Sequence, residues 1–412
     1  MKKRDLTPSP FFLELEKAKA ETLEKSGKSG VPFIDLTVSS PMRVCIPFEL
    51  DSAVDAVQQE FNDWDTNPAG TLKAREAVAK YYRDRGGNFD AGQIILTAST
   101  SEAYSILFKA FCDPGDVILT PLPGYPLLDT LAELEHLECA PYFLKLKRGV
   151  GKGLCGKRHP EPQGGEGSSP EEQNKRFSFS LDADSLLTAP ERSKILLLVS
   201  PHNPTGHCVS RTEWNEAVSF CEKNGLVLVV DEVFGDYGFS EDVRRTWTYV
   251  NQSGPRCPII WLNGLSKICG SPQVKLGWMA VYAPEDIRES VHEKLEFVAD
   301  AYLSVSSMAQ ALAAPMLEQS AAYESKVRER ILANWKTLRD TFPSKYCPEV
   351  IGGWYAAIRL GTDDEELTLR LLREKHVLVQ PGFFFDFEED GWIVVSLLQP
   401  PEVFAAAIQR LN

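Results

Sequence analysis

Two periods of apolar residues share the chain. The run LVLVV at 226–230 stops on Asp231 and Glu232. A continuous apolar run of that length predicts a strand buried on both faces, with its C-terminal end opening into a site. Shorter runs of the same kind lie at 94–96, within KILLLV at 194–199 and within PIIWLNGL at 258–265. Between them, apolar residues recur at helical spacing over 51–62, 71–86, 103–111 and 211–224. Strand–helix alternation from 90 to 282 predicts an open α/β sheet with its chemistry at the carboxyl edge of the strands.

The flanks read differently. Ser9-Pro10 before FFLELEKAKAETLEKSG predicts a helix with Ser9 as N-cap, Pro10 in the first turn and Gly27 beyond the end. The apolar, irregular stretch 31–50 predicts a domain-crossing arm or an edge strand. After 284 the pattern is helix, then helix at 319–341, strand at 353–360, helix at 365–374 and strand at 392–398, a smaller α+β unit. Residues 149–176 are rich in Gly, Pro and charge and predict an exposed insertion. The expected division is an N-terminal arm at 1–44, a large domain at 45–290 and a small domain at 291–412. No internal repeat is evident.

Composition narrows the function. With 412 residues, 43% of them hydrophobic, the chain is long enough for a large core and a second unit. A net charge of −14 argues against nucleic acid as a partner. Nine cysteines without CxxC spacing predict reduced thiols. The N-terminus starts basic but lacks the apolar stretch of a secretory signal, and no apolar run nears the roughly 20 residues that span a bilayer. A cytoplasmic protein is expected, without membrane attachment. The six histidines show no metal-ligand spacing, so no metal is implied.

The candidate chemistry sits where two buried strands end. One delivers Asp231; the next, PIIWLNGLSK, delivers Lys267 beside Ser266. An amine and an acid so placed form the pair that pyridoxal phosphate needs: a lysine for the Schiff base and a carboxylate for the pyridine nitrogen. A lysine ending an apolar run is poorly explained as a surface residue; Asp231 as a simple cap is the plainer alternative. Ser99, Thr100 and Ser101 stand at a strand-to-helix junction, where free backbone N–H groups and hydroxyls suit either an anion or ordinary capping.

Taken in order, TASTSEA at 97–103, PLPGYP at 121–126, NPTG at 203–206, DEVF at 231–234, GLSK at 264–267, KLGW at 275–278, GGWYA at 352–356 and PGFFF at 381–385 resemble the signatures of class I/II aminotransferases. These are fold-type I enzymes dependent on pyridoxal phosphate. The resemblance covers nearly the whole chain apart from 149–176. It implies a large domain with a mixed, mostly parallel seven-stranded sheet, a smaller α+β domain and a homodimer. Lys267 would form the Schiff base and move the proton; Asp231 would keep the ring nitrogen protonated. Asn203 would donate to the ring 3′-oxygen, Tyr125 would stack on one ring face and Val233 pack under the other. Ser99, Thr100 and Ser101 would cup the phosphate. Lys275 stands where the family usually has a phosphate-binding arginine, keeping the charge but losing the fork. Cis bonds are expected before Pro123 and Pro204.

Several positions depart from the family. Phe234 replaces a tyrosine that donates to the 3′-oxygen, and Gly264 replaces a serine that touches the phosphate. Val394 replaces the arginine that forks the substrate α-carboxylate, and a valine cannot pair a carboxylate. Either the substrate lacks that group or another cation serves; Arg43 in the N-terminal arm is the candidate, with Arg359 a second. Trp64 and Asp65 stand where a neighbouring subunit usually lends a tyrosine, and Trp64 is a further candidate for substrate contact. His202 and His207, flanking NPTG, read as local structure. The expected function is transfer of an amino group from an amino acid to a 2-oxo acid. The alternatives are a β-eliminating lyase on the same scaffold and a non-catalytic sensor, which the absence of a DNA-binding module disfavours.

Overall fold

A computed structural model describes residues 8–49, 53–60, 65–148, 176–240, 243, 245–303 and 305–412. The insertion expected at 149–176 therefore lies outside the described residues except for Arg176, which pairs with Glu349.

The large sheet is built from β2 (Ile94–Thr97), β3 (Val117–Leu122), β4 (Glu138–Arg148), β5 (Phe177–Leu181), β6 (Ser193–Val199), β7 (Val227–Asp231), β8 (Ile259–Gly264) and β9 (Gly277–Tyr282). Their order is β2-β9-β8-β7-β6-β3-β4-β5. Neighbours from β8 through β4 run parallel, while β9 is antiparallel to both its neighbours and β5 is antiparallel to β4. The sheet thus has eight strands among the described residues, not the seven expected. The additional strand is β5, paired to the far half of the long β4 from Leu144 to Arg148. Its short FSFSL alternation directly follows the polar 149–176 stretch, which concealed it.

The apolar runs are continuous because both sheet faces are covered. Along β7, Leu228 and Val230 belong to one core cluster, Val227 and Val229 to the other. A period of two therefore alternates between two dry faces rather than between core and water. Helices Thr100–Phe111 and Arg288–Tyr302 pack together on one side.

Helix Pro10–Ser29 starts as expected, the Ser9 side chain accepting from the Phe12 amide at 3.2 Å. It runs past Gly27 and ends at Gly30, whose φ of 72° makes the left-handed cap. Gly27 is exposed with nothing near its Cβ position, so its helix-propensity cost of about 1 kcal/mol is tolerated. The helix packs on helix Asp364–Lys375, Phe11, Leu15 and Ala18 clustering with that helix's Leu372 and with Leu378 beyond its end. The arm's β1 (Ile34–Asp35) pairs in parallel with β11 (Val377–Leu378). Nearby, β10 (Tyr355–Arg359), β12 (Gln380–Pro381) and β13 (Trp392–Ser396) form a three-stranded sheet with β13 central.

The division expected at 290 falls inside helix Arg288–Tyr302, whose Val291, Leu295 and Ala299 join the core of the large sheet. We propose that the large unit extends through that helix. Long helix Ala313–Thr341 follows it. Leu122–Pro123 and Asn203–Pro204 are cis, and so is Ser200–Pro201.

Candidate active site

The carboxyl ends of the central strands meet at one cavity of about 300 Å3. Pairing brings Val199 beside Asp231 and Asp231 beside Leu262, while Gly264 lies opposite Gly277. After β8 a single helical turn, Leu265–Ile268, carries Lys267. After β2, Ser99 caps helix Thr100–Phe111, its hydroxyl oxygen accepting from the Glu102 amide at 3.1 Å. The amides of Thr100 and Ser101 stand in the first turn, where no intrahelical acceptor exists. They mark the end of the cavity suited to an anion.

Ser99, Thr100, Ser101, Tyr125, Asn203, Asp231, Val233 and Lys267 all line this cavity, together with Phe234 and Gly264. Asp231 is held by two donors: the Tyr104 hydroxyl at 2.8 Å from Oδ2 and the Val233 amide at 3.1 Å from Oδ1. Burial pushes its carboxyl above the usual range, opposed by the Val233 and Tyr104 hydrogen bonds and the Lys267 charge. Burial likewise lowers the Lys267 amine, and Asp231 pulls it back up. Each group thus tempers the other's desolvation. The Lys267 ammonium lies 5.4 Å from the Phe234 ring centroid and 5.2 Å from that of Trp354. Tyr237 fixes the lysine's turn by donating to the Lys267 carbonyl at 2.7 Å.

Other expected residues are elsewhere. Lys275 is exposed, with a left-handed φ of 59°, and is not a lining residue, although Leu276 and Gly277 after it are. That left-handed turn lies two residues before β9 begins at Gly277. Arg43 is exposed on the short 3-10 turn Pro41–Val44 and does not line the cavity; Ser39, from the same arm, does. Arg359 is paired with Glu389 at the surface, a structural role. Val394 is fully buried in β13 opposite Ala357 and Gln380. Trp64 lies outside the described residues. Asp65 is exposed and accepts from the Asn67 amide at 2.9 Å. Among the described lining residues, Lys267 is the sole cation.

Gly264 follows from backbone packing. A Cβ there would meet the Gly277 Cα and the Leu276 carbonyl oxygen at 2.9 Å. A serine has no room without moving β9. His202 and His207 are buried beside Thr205 and Glu213, at 2.9 and 3.1 Å. Burial, with some help from His207, lowers His202 to about 3, so it stays neutral.

Tyr104, Ser39 and Tyr355 also line the cavity and were not singled out from sequence. Tyr104 had a signal: it lies four residues after Thr100, on the same face of the helix. Tyr355 sits inside GGWYA but carries no spacing cue of its own. A buried ion network was equally invisible. Asp236 accepts from Tyr81 at 2.6 Å and pairs with Arg245 at 2.6 Å and Arg85 at 3.1 Å; Arg85 also pairs with Glu324 at 2.7 Å. Its members come from four separate stretches, so no local pattern marks it.

The residues present fit pyridoxal phosphate. The Asn203 side-chain amide lines the cavity with its buried Oδ1 unpartnered, and turning that amide by 180° puts its N–H there as the donor a ring oxygen needs. A helix N-terminus suits a phosphate, Asp231 a cationic ring nitrogen and Lys267 a carbonyl carbon.

Comparison with known proteins agrees. The family model described as aminotransferase class I and II matches residues 49–150 and 169–411. The alanine aminotransferase of Mycobacterium tuberculosis (strain ATCC 25618 / H37Rv) is 27% identical over 358 residues, covering 83% of this chain and 76% of that protein. The S-alkyl-thiohydroximate lyase SUR1 of Arabidopsis thaliana is 24% identical over 394 residues, covering 92% of this chain and 78% of its own. The alanine aminotransferase from Pyrococcus furiosus superposes with a TM-score of 0.78 at 20% identity, covering 98% of both chains, which establishes the fold.

Proposed function

Because this chain belongs to the aminotransferase class I and II family, whose members use pyridoxal phosphate to move amino groups between amino acids and 2-oxo acids, we propose that Lys267 and Asp231 perform that transfer here. One observation carries the assignment: an amine and an acid, each desolvated and each stabilising the other's charged form, line one cavity with an open helix N-terminus. When bound, the cofactor supplies an electron sink for the bond broken at the substrate carbon. The residues do the rest. Lys267, its amine lowered by burial, accepts and returns the proton at Nζ. Asp231 presents a carboxylate to the ring nitrogen. Thr100 and Ser101 offer amides and hydroxyls to the phosphate, joined by the Ser99 hydroxyl, and Asn203 offers its side-chain amide to the ring oxygen. Tyr125 and Val233 line the same cavity and would pack against the faces of the ring.

Borohydride reduction of protein loaded with pyridoxal phosphate, followed by peptide mapping, tests this. The label is expected on Lys267 and lost in Lys267→Ala; a label on any other lysine overturns the assignment.

A β-eliminating lyase is the second reading, favoured by the buried Val394 in place of a carboxylate-binding arginine. Release of ammonia from an amino acid without accumulation of the aminated cofactor would select it. A homodimer and a cytoplasmic location complete the proposal. The dimer rests on the family resemblance. The location is supported by eight free cysteines among the described residues and by the lack, among those residues, of a helix long and apolar enough to cross a membrane.

A further inference from the structure

We propose that Tyr104 is a positioning residue for Asp231, its hydroxyl clamping one carboxylate oxygen so that the acid stays ionised and aimed at the ring nitrogen of the cofactor. This rests on the reading of the site given above. Tyr104 is buried one turn into helix Thr100–Phe111, its ring tilted against Phe108 at 5.9 Å between centroids. Its hydroxyl donates to Asp231 Oδ2 at 2.8 Å, and the Val233 amide donates to Oδ1 at 3.1 Å. Two donors from different elements, one on each oxygen, fix the plane of the carboxylate. Each oxygen keeps a lone pair for the cavity.

The hydroxyl is not required by packing. The apolar surroundings of the ring, including Ile118, Leu128, Leu197 and Val229, would accept phenylalanine equally well. The direction of the bond is also fixed. Burial and the Asp231 charge push the Tyr104 phenol well above its ordinary value, so it remains protonated and donates. The other titratable groups facing Asp231 are Lys267, which favours its charge, and Tyr125, raised by burial and by Asp231. Losing the Tyr104 donor leaves burial opposed only by one amide and one amine. Asp231 then holds its own proton more readily and supports a protonated ring nitrogen less well.

The test uses the full chain loaded with pyridoxal phosphate labelled with 15N in the ring. In Tyr104→Phe the ring-nitrogen resonance is expected to move toward the unprotonated position at neutral pH. Affinity of the apoprotein for the cofactor should fall about ten-fold, the scale of one hydrogen bond to a charged group. Tyr142→Phe is the control. It deletes another buried hydroxyl, one that donates to the Leu197 carbonyl at 2.8 Å, and should leave the resonance in place. Tyr104→Met, which also fills the slot without a donor, should behave like Tyr104→Phe and serves if that variant does not fold. A resonance and affinity unchanged in both Tyr104 variants, with the wild type binding normally, overturn the role of Tyr104 alone. A wild type that binds no cofactor overturns the site assignment with it.

Discussion

Glu232, next in the chain after Asp231, is the site of a pH-dependent stability effect that can be worked from its surroundings. The residue is 1% exposed. Its Oε1 accepts from the Thr246 amide at 2.7 Å and the Thr246 hydroxyl at 2.5 Å, while Oε2 has no partner. Burial raises the carboxyl from 4.5 to about 8; the Thr246 bonds and Arg245 oppose the rise, and Asp236 adds to it. Between those values the folded protein holds a proton that the unfolded chain has released. The stability contributed by Glu232 is therefore fully present below the ordinary carboxyl value and is lost as pH rises through about 8. At about 1.4 kcal/mol per pH unit, the full effect is about 5 kcal/mol. Glu232→Gln keeps the Oε1 acceptor and cannot ionise. Urea unfolding followed by tryptophan fluorescence should show variant and wild type differing by a constant amount below about pH 4. The variant should then gain several kcal/mol on the wild type by about pH 9. A difference that does not change with pH refutes the reasoning.

Two further substitutions probe the frame of the site. Gly264→Ser places a Cβ 2.9 Å from the backbone of β9, and overpacking of this kind costs about 1–3 kcal/mol; a lowered unfolding midpoint with weakened cofactor affinity is expected, and an unchanged midpoint would show that β9 yields. Arg85→Met removes a guanidinium that pairs with both Asp236 and Glu324, whose side chains are 1% and 6% exposed. Breaking such a buried network costs about 3–5 kcal/mol, measurable by urea denaturation at neutral pH, and a loss below about 1 kcal/mol would place the network's stabilising role in Arg245 instead.

The site shows which parts of this protein are local in origin. LVLVVDE and PIIWLNGLSK fix two strands and the residues at their ends, because a strand with both faces covered must be apolar throughout and must stop where polarity begins. Ser99 through Ser101 are likewise placed by a short apolar run feeding a helical period. Family signatures, in order, then suffice to name the cofactor. The eighth strand was not legible: β5 is five residues long and is stabilised by β4 across a gap of residues that carry no strand pattern. Nor was the fate of three cations. Lys275, Arg43 and Arg359 are all basic residues near motif positions, yet the first stands exposed at a left-handed turn, the second is exposed on a 3-10 turn and the third is paired with Glu389. A side chain's direction at a chain reversal depends on what packs behind it.

Sequence alone determined the strand ends, the amine, the acid and the hydroxyls at the helix start, since each is dictated by the polarity of residues adjacent in the chain. Tertiary structure decided the Tyr104 bond to Asp231, the Asp236 ion network and the burial of Val394 between β10 and β12. Those depend on distances between residues far apart in the chain, set only when the sheet and its helices have packed.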